Sequence, residues 1–262
     1  LSDTVSITGY GFTGSRLASR LASAGAEVCV LVRRNEQADA ARAAGAKARD
    51  TRLRNLLNCT RSHLPGRIVL ISTTGVYGDH GGAVVSEDTP VSPTTDRAVR
   101  RVDAENAATE FARANSIPLI ILRVPGIYGP GRLPLERLRA LAPLPPAADC
   151  GTTNRIHVED LVTAIVAAAS SDIEFAVFNI SDGQPMNMRT WRETVADVAG
   201  LPHPPEISLA AAREQLSPMT MSFLSESRTI DSNAIREALN LELAFEDPVA
   251  GIRDSLAASA KA

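Results

Sequence analysis

A run of β-formers, Thr4–Thr8, passes without a break into Gly9-Tyr10-Gly11-Phe12-Thr13-Gly14, and this junction constrains the chain more than any other feature. Ser15–Ala24 follows with Leu17, Ala18 and Leu21 at helical spacing, Gly25 stops it, and Glu27–Val32 is a second apolar run. Strand, glycine turn, helix and strand in so short a span make a βαβ unit, because a parallel pair needs a crossover and the periodicity supplies a helix for it.

Gly-x-Gly-x-x-Gly alone is a weak signal, but between a strand and a helix each glycine has a separate physical use. Gly9 permits the tight turn, Gly11 removes the side chain where backbone must approach a pyrophosphate, and Gly14 lets helix and strand pack closely. The amides and dipole at the helix start favour phosphate groups. Gly9, Tyr10, Gly11, Phe12, Thr13 and Gly14 are therefore the expected binding turn for a nicotinamide dinucleotide; the bland alternative is a glycine turn with no ligand. Folds that select NAD place Asp or Glu at the end of the second strand to accept from ribose hydroxyls. This chain has Val30-Leu31-Val32-Arg33-Arg34 there, with Glu36 beyond the strand. Two guanidinium groups suit a 2′-phosphate and stack on adenine, so Arg33 and Arg34 favour NADP over NAD, unless they are only solvated loop residues.

Composition narrows the function classes. The 262 residues are 44% apolar, enough for a sizeable core, and the net charge of -3 is small and scattered. No basic stripe for nucleic acid, no polybasic run for a membrane surface and no membrane-length apolar stretch is present. The first residues read as a strand rather than a signal peptide. Cys29, Cys59 and Cys150 are too scattered for a disulfide framework or a metal cluster and read as reduced, buried small residues, so the expected location is cytoplasmic. The expected partner is a small-molecule substrate, with a homodimer as a compatible assembly.

Further along, Gln37–Ala44 and Leu53–Ser62 read as helices, Ile68–Ile71 as a strand entering Ser72-Thr73-Thr74-Gly75-Val76-Tyr77-Gly78, and Asp96 as the N-cap of a helix to Ala114. Ile117–Val124 and Ala176–Ile180 read as strands and Val158–Ala169 as a helix, with a proline-rich excursion over Gly129–Thr153 and amphipathic helices after Gly183. Between Arg34 and Ile68 a doubly wound sheet should supply two more strands, yet Ala46–Arg49 is the one weak candidate. Either part of the sheet has been lost or a segment is absent within Lys47–Leu53; the second is preferred, and a Cα–Cα step there well beyond 3.8 Å is expected.

On these motifs, together with Arg123-Val124-Pro125-Gly126-Ile127-Tyr128-Gly129-Pro130-Gly131 and Asn154-Arg155-Ile156-His157-Val158-Glu159-Asp160-Leu161, the chain resembles the extended and atypical short-chain dehydrogenases/reductases, the NAD-dependent epimerase/dehydratase group. The resemblance implies an α/β fold: a doubly wound, mostly parallel Rossmann sheet with a smaller, mainly helical C-terminal lobe. The implied Rossmann domain is 1–128 with 156–181, and the implied substrate lobe 129–155 with 182–262. In that family a Ser or Thr, a Tyr, and a Lys four residues later share the chemistry: the Tyr exchanges a proton with the substrate while the Lys holds the nicotinamide ribose. Thr73 takes the hydroxyl position and Ser72 joins the cofactor residues. Counting back from Glu105, Arg101 takes the Lys position and Arg97 the Tyr position, so the usual Tyr-x-x-x-Lys is lacking. Arginine stays protonated and cannot do the tyrosine's work. Thr74 and Gly75 stand where dehydratases carry Asp and Glu, which disfavours sugar dehydration.

Tyr77 is the tentative replacement proton donor; Asp79 and His80 lie in the next loop. His157 reads as a hydrogen-bonded structural residue, Asp160 as a helix-terminal acid, and Trp191 as core. Tyr128 shapes the cleft, and Pro134–Cys150 with Glu206–Ser225 line or cover the substrate side. The expected function is an oxidoreductase or epimerase acting on a small polar or sugar-like substrate with a nonstandard proton donor. The alternative is a non-catalytic protein that senses NADP(H).

Overall fold

In a computed structural model the described residues are 4–8, 11–31, 47–49, 53, 56–57, 60 and 63–259. The fold is the expected α/β type. Strand β1 (Thr4–Thr8) leads to helix α1 (Phe12–Ser23), and β2 (Glu27–Leu31) returns parallel to β1 with Thr4 opposite Glu27 and Thr8 opposite Leu31. Helix α1 buries Leu17, Ala18 and Leu21 and ends where Gly25 turns with φ +86°, a conformation in which a Cβ is strained.

β3 (Lys47–Arg49) is parallel to β2, pairing Cys29 with Lys47, so the sheet runs β1-β2-β3. Lys, Ala and Arg have little intrinsic preference for strand; pairing along the β2 edge imposes it. The weak candidate is thus a real strand, one residue shorter than expected. The step expected within Lys47–Leu53 falls on residues 50–52, outside the described residues, as do the helix expected over Gln37–Ala44 and most of that over Leu53–Ser62.

A second sheet has the order β10-β6-β4, from β4 (Ile68–Thr73), β6 (Leu119–Val124) and β10 (Phe175–Asn179). β6 lies in its middle and is buried along its whole length, as a strand with neighbours on both edges requires. Helix α2 (Asp96–Ala114) has the expected bounds, but its cap is Thr95: the Thr95 Oγ1 accepts from the Ala98 amide at 3.2 Å. Asp96 is instead the first helical residue, where its charge still meets the positive end of the dipole.

The remaining elements are β5 (Val84–Val85), β7 (Gly126–Tyr128), α3 (Leu135–Arg139), β8 (Thr152–Thr153), β9 (Arg155–His157), α4 (Val158–Ser170) and β11 (Met186–Asn187). Helices α5 (Met188–Ala199), α6 (Leu209–Gln215) and α7 (Pro218–Ser225), strand β12 (Thr229–Ile230), and helices α8 (Asn233–Leu239) and α9 (Pro248–Ser259) complete the chain.

Two compact units contain 1–70, 103–121 and 161–176, and 71–102, 122–160 and 177–262. The C-terminal ends of β4, β6 and β10 group with the C-terminal residues. The hydrogen bond from Ile180 N to Arg123 O (3.2 Å) ties the end of β6 to the segment that follows β10. Within the second unit, Trp191, Val195 and Ala196 of α5 pack with Tyr128, Leu138 and Ile252. Asn187, Ser208 and Ser217 cap α5, α6 and α7, each accepting a first-turn amide.

Candidate functional site

The glycine turn lies in the first unit. Gly9 and Tyr10 are outside the described residues; Gly11 is the extended N-cap of α1, and Phe12, Thr13 and Gly14 form its first turn. A helix start leaves four amides without intrahelical acceptors. Unlike α5, α6 and α7, α1 has no side-chain cap, and like them it carries no acid in its first turn. Among the described residues other than its chain neighbours, nothing lies within 4 Å of where a Gly11 Cβ would stand. Arg16 closes one side, stacking 4.1 Å from the Phe12 ring centroid and donating to the Phe12 carbonyl at 2.9 Å. Arg33 and Arg34 are outside the described residues.

Thr73, Tyr77, Arg97 and Arg101 belong to the second unit. Ser72 is buried at the end of β4, and Thr73 opens a single 3-10 turn, Thr74–Tyr77, its Oγ1 accepting from Gly75 N at 3.2 Å. That bond uses an oxygen lone pair and leaves the hydroxyl proton for another acceptor. Gly78 follows with φ +74°, and a Cβ there would run into the Ser92 carbonyl.

Tyr77 is fully buried. Its hydroxyl donates to Asn179 Oδ1 at 2.8 Å and accepts from Arg123 Nη1 at 3.0 Å, while the Arg123 guanidinium lies 4.9 Å from the ring centroid. Asn179 in turn donates through Nδ2 to the Asp231 carbonyl at 3.1 Å, and its amide donates to Glu87 Oε1 at 2.7 Å. Burial pushes the Tyr77 phenol up from its ordinary value, against the bonds from Arg123 and Asn179. Asn179 and Glu87 were not singled out in the sequence, and Arg123 stood there only as the first residue of a glycine-rich motif. The one signal for Arg123 was a charge inside an apolar strand, Leu119–Val124, which needs a buried partner.

Asp79 accepts from Ser227 N at 2.8 Å and Gly81 N at 3.1 Å, bonds that hold its carboxyl below the usual range. His80 Nε2 meets the Tyr77 carbonyl at 3.1 Å, so the ring serves the loop backbone. On α2, Arg97 and Arg101 are exposed, and Arg97 stacks 4.7 Å from the half-exposed Phe223 ring centroid. The two segments expected on the substrate side do meet: Leu144 N donates to Pro205 O at 3.0 Å and Ile207 N to Leu144 O at 3.1 Å. Beside them is a cavity of about 480 Å³ lined by Asp149, Leu209, Arg213, Leu216, Met221 and Leu224.

The second motif region is a buried polar core. His157 is fully buried; its Nδ1 accepts from Glu159 N at 3.3 Å, which leaves Nε2 to carry the proton toward Ser255 Oγ at 3.3 Å. Asp160 accepts from Ala244 N (2.8 Å) and Phe245 N (3.0 Å) and so pins that loop, although burial raises its carboxyl. Arg155 stacks on Trp191, 4.5 Å from the ring centroid, and burial lowers its pKa to about 9. Asp182 is pushed up to about 7, mainly by burial, with Oδ1 accepting from Gln184 N at 3.0 Å. Among the described residues, Asp182 Oδ2 and the Tyr128 hydroxyl are buried without a hydrogen-bond partner.

Tyr128 also explains Gly251 in α9. A Cβ at Gly251 would overlap the Tyr128 hydroxyl and lie 3.0 Å from two ring carbons. Glycine to alanine inside a helix ordinarily gains about 1 kcal/mol. Here Gly251→Ala is expected to lose roughly 1–3 kcal/mol by overpacking, read as a lower urea midpoint at unchanged m. A higher midpoint would show that the phenol is free to move aside.

Of the cysteines, Cys29 is half-buried and Cys150 is buried with its thiol pushed up, the opposite of a reactive thiolate; Cys59 is outside the described residues. Among the described residues no cluster of three or more His, Cys, Asp or Glu is placed to hold a metal, and no helix is long and apolar enough to cross a membrane.

The strand-turn-helix start, the two three-stranded sheets and the Ser72–Gly78 turn are those of a dinucleotide-fold protein. The chain belongs to the NAD dependent epimerase/dehydratase family, whose model matches residues 51–181. It is 28% identical over 200 residues to a 3-diazoavenalumate denitrifying reductase from a Streptomyces species, covering 71% of this chain and 63% of that one. A solved structure of a functionally unknown conserved protein from Silicibacter pomeroyi DSS superposes with a TM-score of 0.83 at 28% identity, covering 98% of this chain and 99% of that one. The dTDP-glucose 4,6-dehydratase of Bacillus anthracis, solved with NAD, shares the fold, with a TM-score of 0.79 over 98% and 96% of the two chains at 14% identity. The chain spans between 26% and 65% of the length of the curated relatives it matches.

Proposed function

We propose that the protein is an NADP(H)-preferring oxidoreductase, or an epimerase working through the same hydride chemistry, that acts on a small polar or sugar-like substrate without a catalytic tyrosine. The observation that carries this reading is the open, uncapped start of α1 behind β1, in a chain of this family. The first-turn amides of α1 suit a pyrophosphate, and the clear space at Gly11 is what a side chain would fill at the phosphates' expense. Arg33 and Arg34 hold the 2′-phosphate. When bound, the nicotinamide donates or accepts a hydride.

The proton has to come from elsewhere. The guanidinium groups of Arg97 and Arg101 donate hydrogen bonds and balance negative charge on a ligand, and do not serve as the proton donor. The Tyr77 phenol is buried, bonded on both sides and raised, so its role is to anchor the turn. Thr73, half-buried with its hydroxyl proton uncommitted within the turn, orients the substrate oxygen. Solvent water then serves as the proton source. A reductase among the relatives, and sugar-nucleotide enzymes bound to NAD among the similar folds, are in keeping with this chemistry.

Fluorescence titration tests the cofactor. NADPH is expected to bind at least tenfold more tightly than NADH, about 1.4 kcal/mol, and Arg33→Ala with Arg34→Ala to bring the two together. Equal or reversed affinities in the unaltered chain reject the NADP preference. Tight binding with no NADPH oxidation across a broad carbonyl panel transfers the protein to a sensing role.

A further inference from the structure

We propose that Arg192 and Arg137 form a site for a small oxyanion, a phosphate or carboxylate group of a soluble ligand, where α3 packs on α5. Arg192 is 5% exposed. Its hydrogen-bond partner among the described residues is the Met188 sulfur, 4.0 Å from Nη2. The other buried arginines among the described residues, and the half-buried Arg189, are matched. Arg123 donates to Tyr77, Arg155 donates to the Met186 carbonyl at 3.3 Å, and Arg189 donates to the Leu144, Pro145 and Pro204 carbonyls while pairing with Glu193 at 2.8 Å.

The charged group that most affects Arg192 is Arg137, of the same sign, on α3. Burial first and Arg137 second lower the Arg192 pKa to about 10, so it is still a cation at neutral pH. Leu138 and Trp191 hold α3 and α5 together beneath the pair. A buried charge without a counter-charge is costly, and a second cation beside it makes matters worse. One oxyanion between the two guanidinium groups removes both penalties, because each planar fork matches two oxygens of a phosphate or carboxylate. Arg137 is exposed, so the pair has an entrance from solvent.

Isothermal titration of the 262-residue chain with inorganic phosphate, and separately with succinate, at ionic strength fixed with sodium chloride, tests the site. The titrations are made in the Gly11→Val background, so that phosphate at the α1 start does not contribute. One of the two anions is expected to bind saturably at one site, and the one that binds identifies the ligand group. Arg192→Met, which keeps the volume among apolar neighbours, should weaken binding at least tenfold, and Arg137→Ala at least threefold. NADPH affinity, read with Gly11 intact, should not change in either variant, which separates this site from the cofactor site. Absence of binding by both anions, or equal affinity with Arg192→Met, overturns the proposal. If Arg192→Met does not fold, unchanged affinity in Arg137→Ala overturns it equally.

Discussion

Gly11→Val is expected to reduce dinucleotide affinity at least a hundredfold while leaving the fold in place. The argument is local. Gly11 caps α1 in an extended conformation, φ -96° and ψ -157°, that valine adopts without strain, and the space around its missing Cβ is clear to 4 Å. Among the described residues the added Cβ therefore meets no clash, and the chain loses the N-cap preference of glycine over valine, of the order of 1 kcal/mol. The branched side chain then occupies the approach to the first-turn amides, where a pyrophosphate would otherwise accept several charge-assisted bonds. Loss of two such bonds corresponds to about 3 kcal/mol or more, roughly the hundredfold stated. Circular dichroism and a thermal melt report the fold, and fluorescence titration reports the affinity. A folded variant that binds NADPH within threefold of the parent would mean that the α1 start is not the phosphate site.

The second large effect concerns Asp182 and pH. Its folded pKa is raised from 3.8 to about 7 because burial disfavours the carboxylate. The native state therefore holds a proton that the unfolded chain releases between those two values, and across that interval stability falls as pH rises. Below pH 4 both states are protonated and the penalty is absent; above pH 7 it is fully present. The shift corresponds to a loss of the order of 4 kcal/mol across the window. Asp182→Asn keeps an acceptor for the Gln184 amide and removes the titration. Relative to that variant, the parent is expected to lose stability progressively from pH 4 to pH 7 in urea unfolding and to change no further to pH 8. Parallel stability curves for the two proteins would show that Asp182 ionises freely in the folded state, through water reaching Oδ2 or a closer approach of Arg155.

Where local pattern and tertiary demand agree, the elements were legible from residues alone. Helix α2 has the expected bounds because nineteen residues favour one conformation. Strand β1, the glycine turn, α1 and β2 follow from alternation, helical spacing and the stop at Gly25. Thr95 displaced Asp96 as the cap because both residue types cap well and only backbone geometry separates them. Strand β3 was barely visible, since Lys47-Ala48-Arg49 is strand by virtue of β2 alone.

The candidate site divides in the same way. The glycine turn is written in Gly9, Gly11 and Gly14, whose use follows from the absence of a side chain. The fate of Tyr77 is not written locally: its partners Arg123 and Asn179 lie 46 and 102 residues away, and together they turn a plausible acid into a buried anchor. Arg192 looks like an ordinary polar position of an amphipathic helix until α3 brings Arg137 beside it. The sequence by itself determined the fold class and the family, because propensity and glycine geometry act within a few residues. Tertiary structure alone decided which polar groups are buried, paired or left facing a like charge, because desolvation and Coulomb forces depend on neighbours distant in the chain.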